Sequence, residues 1–310
     1  MPFVLKDFYA PEKTKAFLFL IRELGFTQHE AQRYISKGRI FTDGEVMQDT
    51  SGYVEGLFQC VIFEPVSQGI APIFQTDSFA LFDKPSGVLV HPQNRHTPYS
   101  MVDEIRFRFG PHANITHRID QETSGLLLAA TNKQSERKLK MMFERREMEK
   151  RYLAIVHGKM EHDMSIDAPL IRREDDSSLV RMVVKVHVEG KPSRTDIRVL
   201  KYFPELDMTL VEAKPLTGRQ HQIRVHLFHV KHPIVGDPIY GQKEEDAVRF
   251  LDKGIGESER IAKSGAKRLL LHANRLTFTL DGITYDLVSK TDFVSEALGE
   301  LRGRREEESI

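Results

Sequence analysis

The sequence predicts an α+β fold: a mixed, largely antiparallel sheet around a central cleft, with a smaller α/β domain at the N-terminus. Three observations indicate this fold. Many short β-like runs are interleaved with few helical ones, which is typical of antiparallel sheets. A chain of 310 residues with 40% hydrophobic composition can bury a full core. A stretch containing glycine and proline, residues 67–76, separates two differently patterned regions and reads as a linker.

The first region, residues 14–66, reads as helix, turn, helix and then short strands. Apolar residues at helical spacing from Phe17 to Leu24 predict the first helix, and Gly25 ends it. Thr27 followed by Glu30 predicts a capping box at the start of the second helix. The turn "TDGEV" and the run "CVIF" predict tight β structure after it.

Charge and cysteine content limit the class of protein. Basic and acidic residues number 45 each, so attraction for a nucleic acid must come from local patches. One such patch comprises Arg33 and Lys37 on the second helix and Arg39 after it, although a solvated helix face has the same appearance. The only cysteine, Cys60, lies in an apolar run, which predicts a buried thiol. No stretch is apolar for the ~20 residues of a membrane span, so we expect a cytoplasmic protein.

The second region, residues 77–295, carries most of the β-like runs. "RYLAIVHG" alternates as a strand, and Asp281 and Gly282 predict a hairpin between two runs near the C-terminus. Residues 242–267 form a long, highly charged insert that is either a loop over a substrate or a solvated helix. Residues 296–310 are predicted to be a charged tail.

The segment "HRID", residues 117–120, is the first candidate for chemistry. In an extended segment, Arg118 and Asp120 share one face and His117 and Ile119 share the other. The polar turn "QETSG" and the apolar run "LLLAAT" follow, which holds the acid at the mouth of a sheet. The same pattern is also typical of a structural or surface ion pair.

A second candidate stretch runs from Pro215 to Gly241. Thr217 is predicted to cap a helix, which leaves Arg219 in the first turn against the positive helix end, where it needs a carboxylate partner. The histidines of this stretch have spacings that do not match a paired zinc motif, so no metal site is predicted. They are His221, His226, His229 and His232.

Six separated motifs together closely resemble the RluA family of pseudouridine synthases. In order they are "FALFDKPSGVLVHP", "HRIDQETSGLLLAATN", "KRYLAIVHG", "LTGRQHQIRVHL", "HPIVGDPIYG" and "LLLHANRLTF", from Phe79 to Phe278. One departure is Ile119, where the family commonly has leucine. The first region resembles the alpha-L RNA-binding domain that one branch of this family carries.

The resemblance implies an enzyme that isomerises uridine within RNA and needs neither cofactor nor metal. It makes Asp120 the essential carboxylate, which either adds to the anomeric carbon of the ribose or removes a neighbouring sugar proton to give a glycal. Arg219 would be its counter-ion. Tyr152 would stack on the flipped uracil and help to take the proton from carbon five.

The resemblance also implies RNA-binding residues. Arg118 would enter the gap left by the extruded base, and Leu271 would floor the pocket. Arg33, Lys37 and Arg39 would contact RNA from the first domain. Large-subunit ribosomal RNA is the favoured substrate, with tRNA or a non-catalytic RNA-assembly role as alternatives. A monomer with no membrane partner is expected.

Overall fold

The computed structural model describes residues 2–172 and 184–307. The chain divides into two compact units. The first extends to Ser67 and includes Pro92–Asp103, and the second comprises Gln68–His91 and the chain from Glu104 onward.

The first unit is a small four-stranded sheet with two helices. Its elements are β1 (Phe3–Lys15), α1 (Ala16–Leu24), α2 (Gln28–Ser36), β2 (Ile40–Thr42), β3 (Glu45–Met47) and β4 (Tyr53–Phe63). The strand order is β1-β4-β2-β3, and all pairs are antiparallel. The chain therefore has a separate small sheet domain at its N-terminus.

Local sequence signals position the two helices of this unit. Gly25 adopts a left-handed φ of 66° and ends α1, as its lack of a side chain allows. The hydroxyl of Thr27 accepts from the Glu30 amide, and the Glu30 carboxylate accepts from the Thr27 amide, so the predicted capping box is present. Cys60 is buried in the core, where burial raises the pKa of its thiol to about 12.

The second unit contains the remaining strands and most of the remaining helices. The strands are β5 (Pro72–Gln75), β6 (Phe79–Lys84), β7 (Asn114–Ile115), β8 (Ser124–Ala130), β9 (Glu149–His157), β10 (Met164–Asp167), β11 (Leu170–Arg172), β12 (Val184–Val186), β13 (Arg194–Phe203), β14 (Met208–Pro215), β15 (Leu271–Leu280) and β16 (Ile283–Val288). The helices that follow α2 along the chain are α3 (Met101–Phe109), α4 (Lys133–Glu144), α5 (Gln222–His229), α6 (Glu244–Leu251), α7 (Glu257–Ser264) and α8 (Phe293–Glu307).

A large, mostly antiparallel sheet dominates the second unit. Its main path runs β10-β13-β14-β9-β15-β8-β6-β5, with β16 beside β15 and β7 beside β8. The β8–β15 pair is parallel and joins Gly125 to Ala273. Gly125 has φ of 101°, and a Cβ there would lie 2.3 Å from the Ala273 carbonyl oxygen, so glycine is required. This close pairing brings the "TSG" and "LHA" motifs together. The mostly antiparallel sheet with its helices confirms the α+β prediction.

Three predicted boundaries need correction. Strand β1 begins at Phe3, ahead of residue 14, because its pairing with β4 continues to Phe63. The linker 67–76 contains β5, which pairs with β6 despite Pro72, because proline is tolerated in an edge strand. The stretch 296–310, taken as a tail, is helical as far as Glu307, because α8 buries Phe293, Ala297 and Leu301.

Candidate active site

Asp120 lies in the loop between β7 and β8, at the wall of a cavity of about 1310 Å³. Its side chain is 27% exposed, so the carboxylate faces the cavity without being fully solvated. Residues 117–120 do not form a strand, so the alternation expected for an extended segment does not apply. Arg118 nevertheless lines the same cavity and is exposed.

A buried lysine fixes the loop that carries Asp120. Lys84, at the end of β6, is 1% exposed and donates from Nζ to the carbonyl oxygens of Pro85, Val88 and Gln121 at 2.8, 2.8 and 2.9 Å. Burial lowers the pKa of Lys84 to about 7, against the opposing effect of Glu122 and Asp120. The protonated amino group thus donates hydrogen bonds to three carbonyl oxygens. These bonds tie the turn after β6 to the loop that carries Asp120.

The guanidinium partner of Asp120 is Arg224. Its Nη1 donates to Oδ2 of Asp120 at 3.2 Å, while Nε and Nη2 donate to the two carboxylate oxygens of Asp237, both at 2.8 Å. Arg224 is 3% exposed and Asp237 is fully buried. Burial alone would lower the pKa of Arg224, but Asp237 and then Asp120 outweigh that effect and raise it. The result is an acid–arginine–acid cluster with one acid open to the cavity.

The prediction that Arg219 is the counter-ion is therefore wrong. Helix α5 begins at Gln222, not after Thr217, because the Thr217 hydroxyl donates to Gln222 Oε1 at 2.6 Å and His221 takes a left-handed φ of 54°. Arg224 then occupies the first turn, and Arg219 precedes the helix. Arg219 lines the cavity, and its buried Nε has no hydrogen-bond partner among the described residues.

His221 and Tyr240 complete the polar wall behind Asp120. The Val184 amide donates to the Tyr240 hydroxyl oxygen at 3.1 Å, and the same hydroxyl shares a hydrogen bond with His221 Nδ1 at 2.9 Å. The other ring nitrogen of His221, Nε2, lies 3.9 Å from Oδ2 of Asp120. Burial, followed by the nearby Arg224 charge, lowers the pKa of His221 to about 4, so the ring is neutral at neutral pH.

Only one oxygen of Asp120 is used by these contacts. Arg224 and His221 both face Oδ2. Within residues 2–172 and 184–307, no hydrogen bond or ion pair reaches Oδ1 of Asp120. The cluster therefore holds the carboxylate by one oxygen and leaves the other available to a ligand.

Tyr152 and Leu271 form an apolar part of the cavity wall. They lie on neighbouring strands β9 and β15 and are 9% and 3% exposed. Burial, and secondarily the negative charge of Asp120, raises the pKa of Tyr152 above its ordinary value. The residue therefore offers a ring face and a neutral hydroxyl, not a phenolate.

His117 makes structural contacts with β8 and α4. Its Nε2 accepts from the Leu128 amide at 2.9 Å, and its ring stacks on Phe143 at a centroid distance of 4.4 Å. Burial, with a smaller effect of Lys150, lowers its pKa to about 3. A neutral acceptor at this position keeps the segment before Asp120 against β8.

The basic residues of the first unit form a cluster of like charge. Arg33 and Lys37 are exposed, and Arg33 together with partial burial lowers the pKa of Lys37. The Arg39 guanidinium lies 5.6 Å from the ring centroids of both Phe3 and Tyr34. Arg39 is therefore packed against aromatic rings, whereas Arg33 and Lys37 extend into solvent.

Three of the four histidines in the second candidate stretch, His221, His226 and His232, hydrogen-bond to other groups of the protein. His226 contacts Thr195 Oγ1 at 2.9 Å and the Ala168 carbonyl at 3.0 Å, and His232 contacts the His157 carbonyl at 2.9 Å. The described part of the chain contains no group of three or more His, Cys, Asp or Glu side chains suited to a metal ion. Among its helices, none combines the length and apolar character that crossing a bilayer requires.

Sequence reasoning missed the residues that surround the acid: Lys84, His221, Arg224, Asp237 and Tyr240. All five stand inside the quoted motifs, but their pairing joins segments far apart in the chain. The one usable signal was Arg224 in "HQIR", a second arginine close to Arg219 that could pair with the same acid.

Comparisons with known proteins show which family this chain is similar to. Residues 78–229 match the family model for RNA pseudouridylate synthase. A protein of Helicobacter pylori described as an uncharacterized RNA pseudouridine synthase is 36% identical over 289 residues, which cover 93% of this chain and 94% of that one. Ribosomal large subunit pseudouridine synthase D of Xanthomonas campestris is 31% identical over 297 residues, which cover 92% and 86%.

A solved structure is also similar to this chain. Human RNA pseudouridylate synthase domain containing 1 superposes with a TM-score of 0.57 at 26% identity and covers 74% of this chain and 86% of its own. The family match and these relatives show that the chain is an RNA pseudouridine synthase, which is an isomerase with RNA as its substrate. Within that class, the chain belongs to the RluA family.

Proposed function

We propose that this enzyme isomerises uridines of large-subunit ribosomal RNA, with Asp120 as the essential carboxylate. The observation that carries the assignment of the acid is its free Oδ1 at the cavity wall, with Oδ2 held by Arg224. The relative from Xanthomonas campestris, named for the large ribosomal subunit, favours ribosomal RNA over tRNA.

The reaction conserves all atoms of the nucleotide. The bond from uracil N1 to ribose C1′ breaks, the base turns, a bond from C5 to C1′ forms, C5 loses a proton and N1 gains one. Asp120 begins it either by adding to C1′ or by removing the C2′ proton. A substrate deuterated at C2′ separates the two routes, because only proton removal breaks that bond and gives a primary isotope effect.

The other cavity residues have supporting roles in this proposal. Tyr152 stacks on the extruded uracil over a floor that includes Leu271, and its hydroxyl relays the proton from C5. Arg118, exposed at the cavity, replaces the flipped base in the RNA helix. Arg219 has no carboxylate partner in the described part of the chain, so its charge is available to an RNA phosphate.

We propose that the first unit binds RNA through Arg33 and Lys37. These exposed like charges lack carboxylate partners among the described residues. Binding of RNA phosphates would relieve their mutual repulsion and is therefore favourable. Arg39 contributes by fixing the packing of Phe3 and Tyr34 beneath them.

Pseudouridine mapping by carbodiimide probing tests the proposal. Unmodified ribosomal RNA and tRNA are incubated with the purified protein, with Asp120→Asn, or with Asp281→Asn as a matched control at an exposed hairpin turn. We expect sites in large-subunit RNA with the unaltered protein and the control only. Sites confined to tRNA would overturn the substrate assignment, and turnover by Asp120→Asn would overturn that of the acid. If neither RNA gained a pseudouridine while a control synthase was active under the same conditions, the non-catalytic role would be favoured.

A further inference from the structure

The charged insert, residues 242–267, folds into helices α6 and α7 and lies outside the cavity. All of its residues are described, and none of them lines the cavity that contains Asp120. Two ion pairs hold the insert together, Arg249 with Glu259 at 2.6 Å and Lys263 with Asp246 at 2.8 Å. The insert can still act on the cavity through a contact with one of the loops that carry cavity residues.

One side chain of the insert makes that contact. Arg260, on α7, donates from Nη2 to Oε2 of Glu122 at 2.6 Å and to the Gly236 carbonyl oxygen at 3.1 Å. The side chains of Arg260 and Glu122 are only 13% and 16% exposed. The guanidinium also lies 4.9 Å from the ring centroid of Phe250, which packs it between the two helices of the insert.

The two acceptors of Arg260 belong to the two loops that carry the acid cluster. Glu122 is two residues after Asp120, and Gly236 immediately precedes Asp237, which holds Arg224. One guanidinium nitrogen thus connects the loop of the open acid with the loop of the buried acid. A second bond from the insert supports the latter loop, because the Gly236 amide donates to the Ser264 carbonyl at 2.7 Å.

The close packing at Gly236 leaves little room for this loop to move. Gly236 has φ of 78°, and a Cβ there would lie 1.8 Å from the Arg268 carbonyl oxygen. The Glu122 side has its own backbone support, since the Ser86 hydroxyl donates to the Glu122 carbonyl at 2.6 Å. Loss of Arg260 would therefore remove the side-chain bridge between the two loops without unfolding either of them.

We propose that Arg260 is a positioning residue that sets the distance between Asp120 and Arg224, through Glu122 on one side and Gly236 on the other. The proposal rests on the assignment of Asp120 as the essential carboxylate. Displacement of a reacting group by about 1 Å can cost a factor of about 100 in rate. Because Lys84 and Ser86 still hold the Asp120 loop, we expect a partial loss of rate, not its abolition.

The test compares Arg260→Gln with Arg249→Gln, a matched arginine whose ion pair stays within the insert. Single-turnover isomerisation is measured with enzyme in excess over an RNA that the unaltered protein modifies, and RNA affinity and thermal stability are measured in parallel. We expect Arg260→Gln to slow turnover about 10- to 100-fold while RNA affinity stays within about twofold. Arg249→Gln should turn over at the unaltered rate.

A double-mutant cycle with Glu122→Gln adds a readout that loss of stability alone would not change. If the two side chains act as one unit, the double variant is no slower than the slower single variant. Unaltered turnover by Arg260→Gln, equal losses in both arginine variants, or a loss confined to RNA affinity would each overturn the positioning role. Turnover by Asp120→Asn would instead overturn the assignment of the acid, so the two failures are distinguishable.

Discussion

The two acids on either side of Arg224 should respond differently to the same substitution. Asp237→Asn removes a fully buried charge that accepts two 2.8 Å bonds from Arg224 and two more from the backbone amides of Ile239 and Tyr240. Asp120→Asn removes a 27% exposed charge that accepts one bond from Arg224 at 3.2 Å. Both changes preserve side-chain shape, so the difference between them reports on charge and burial.

The magnitudes follow from the burial of Arg224. After Asp237→Asn, a 3% exposed guanidinium lacks its main partner, and breaking a buried pair in this way costs about 3–5 kcal/mol. After Asp120→Asn, Arg224 keeps both bonds to Asp237, and the loss of one longer bond at a partly exposed site costs about 1 kcal/mol or less. We therefore expect Asp237→Asn to be unstable and Asp120→Asn to be stable but inactive.

Urea unfolding of the three proteins checks this expectation, with single-turnover assays on the same samples. The change in the free energy of unfolding should be at least about twofold larger for Asp237→Asn. Equal destabilisation by the two substitutions would refute the reasoning, because it would mean that Arg224 depends on both acids alike. A larger effect of Asp120→Asn would refute it as well.

Three further outcomes are expected. Tyr152→Phe keeps the ring but removes the hydroxyl that relays the C5 proton, so loss of this proton should become slower. With a C5-deuterated uridine, the variant should show a larger isotope effect on product formation than the unaltered protein. An equal effect would exclude the hydroxyl from proton transfer. The pKa of His117 is about 3 in the folded state, below its unfolded value, so the unfolded state binds more protons and stability should fall as pH drops below about 6.5. His117→Gln should reduce the slope of unfolding free energy against pH by about one proton. An unchanged slope would contradict a neutral, buried ring. Replacing Arg33 and Lys37 with glutamine should weaken RNA binding and reduce the slope of log affinity against log salt by about 1.5, whereas an unchanged slope would remove these residues from the RNA interface.

Local signals in the sequence were sufficient for much of the fold. The capping box at Thr27, the end of α1 at Gly25 and the hairpin at Asp281 depend on a few adjacent residues, and each is present. The resemblance to the RluA family, and not a local signal, placed Asp120 and Tyr152 in one pocket; in the structure both line the cavity. The predictions of the capping box, the helix end and the hairpin required only the chemistry of caps and turns.

The assignment of Arg219 as the counter-ion failed because it depends on where α5 begins. Capping preferences favoured a start at Thr217, which would place Arg219 in the first turn. In the structure, Thr217 instead donates to Gln222, which itself donates to the Arg194 carbonyl and the Thr195 hydroxyl on β13. Tertiary hydrogen bonds thus shift the helix start by several residues. No local preference carries that information, because the partners are 27 and 28 residues away.

The way in which Arg224 is shared bears directly on the reactivity of Asp120. An arginine devoted to Asp120 would form two bonds to it and occupy both carboxylate oxygens. Here Asp237 takes the two short bonds, and Asp120 receives one longer bond at Oδ2. The neutral His221 adds no positive charge beside Oδ2. Asp120 is therefore held in place and kept near a positive charge, yet Oδ1 retains its lone pairs for the ribose, as both routes require. A pocket with the acids exchanged, in which Asp120 took both short bonds, would hold the carboxylate firmly and leave it a poor nucleophile or base.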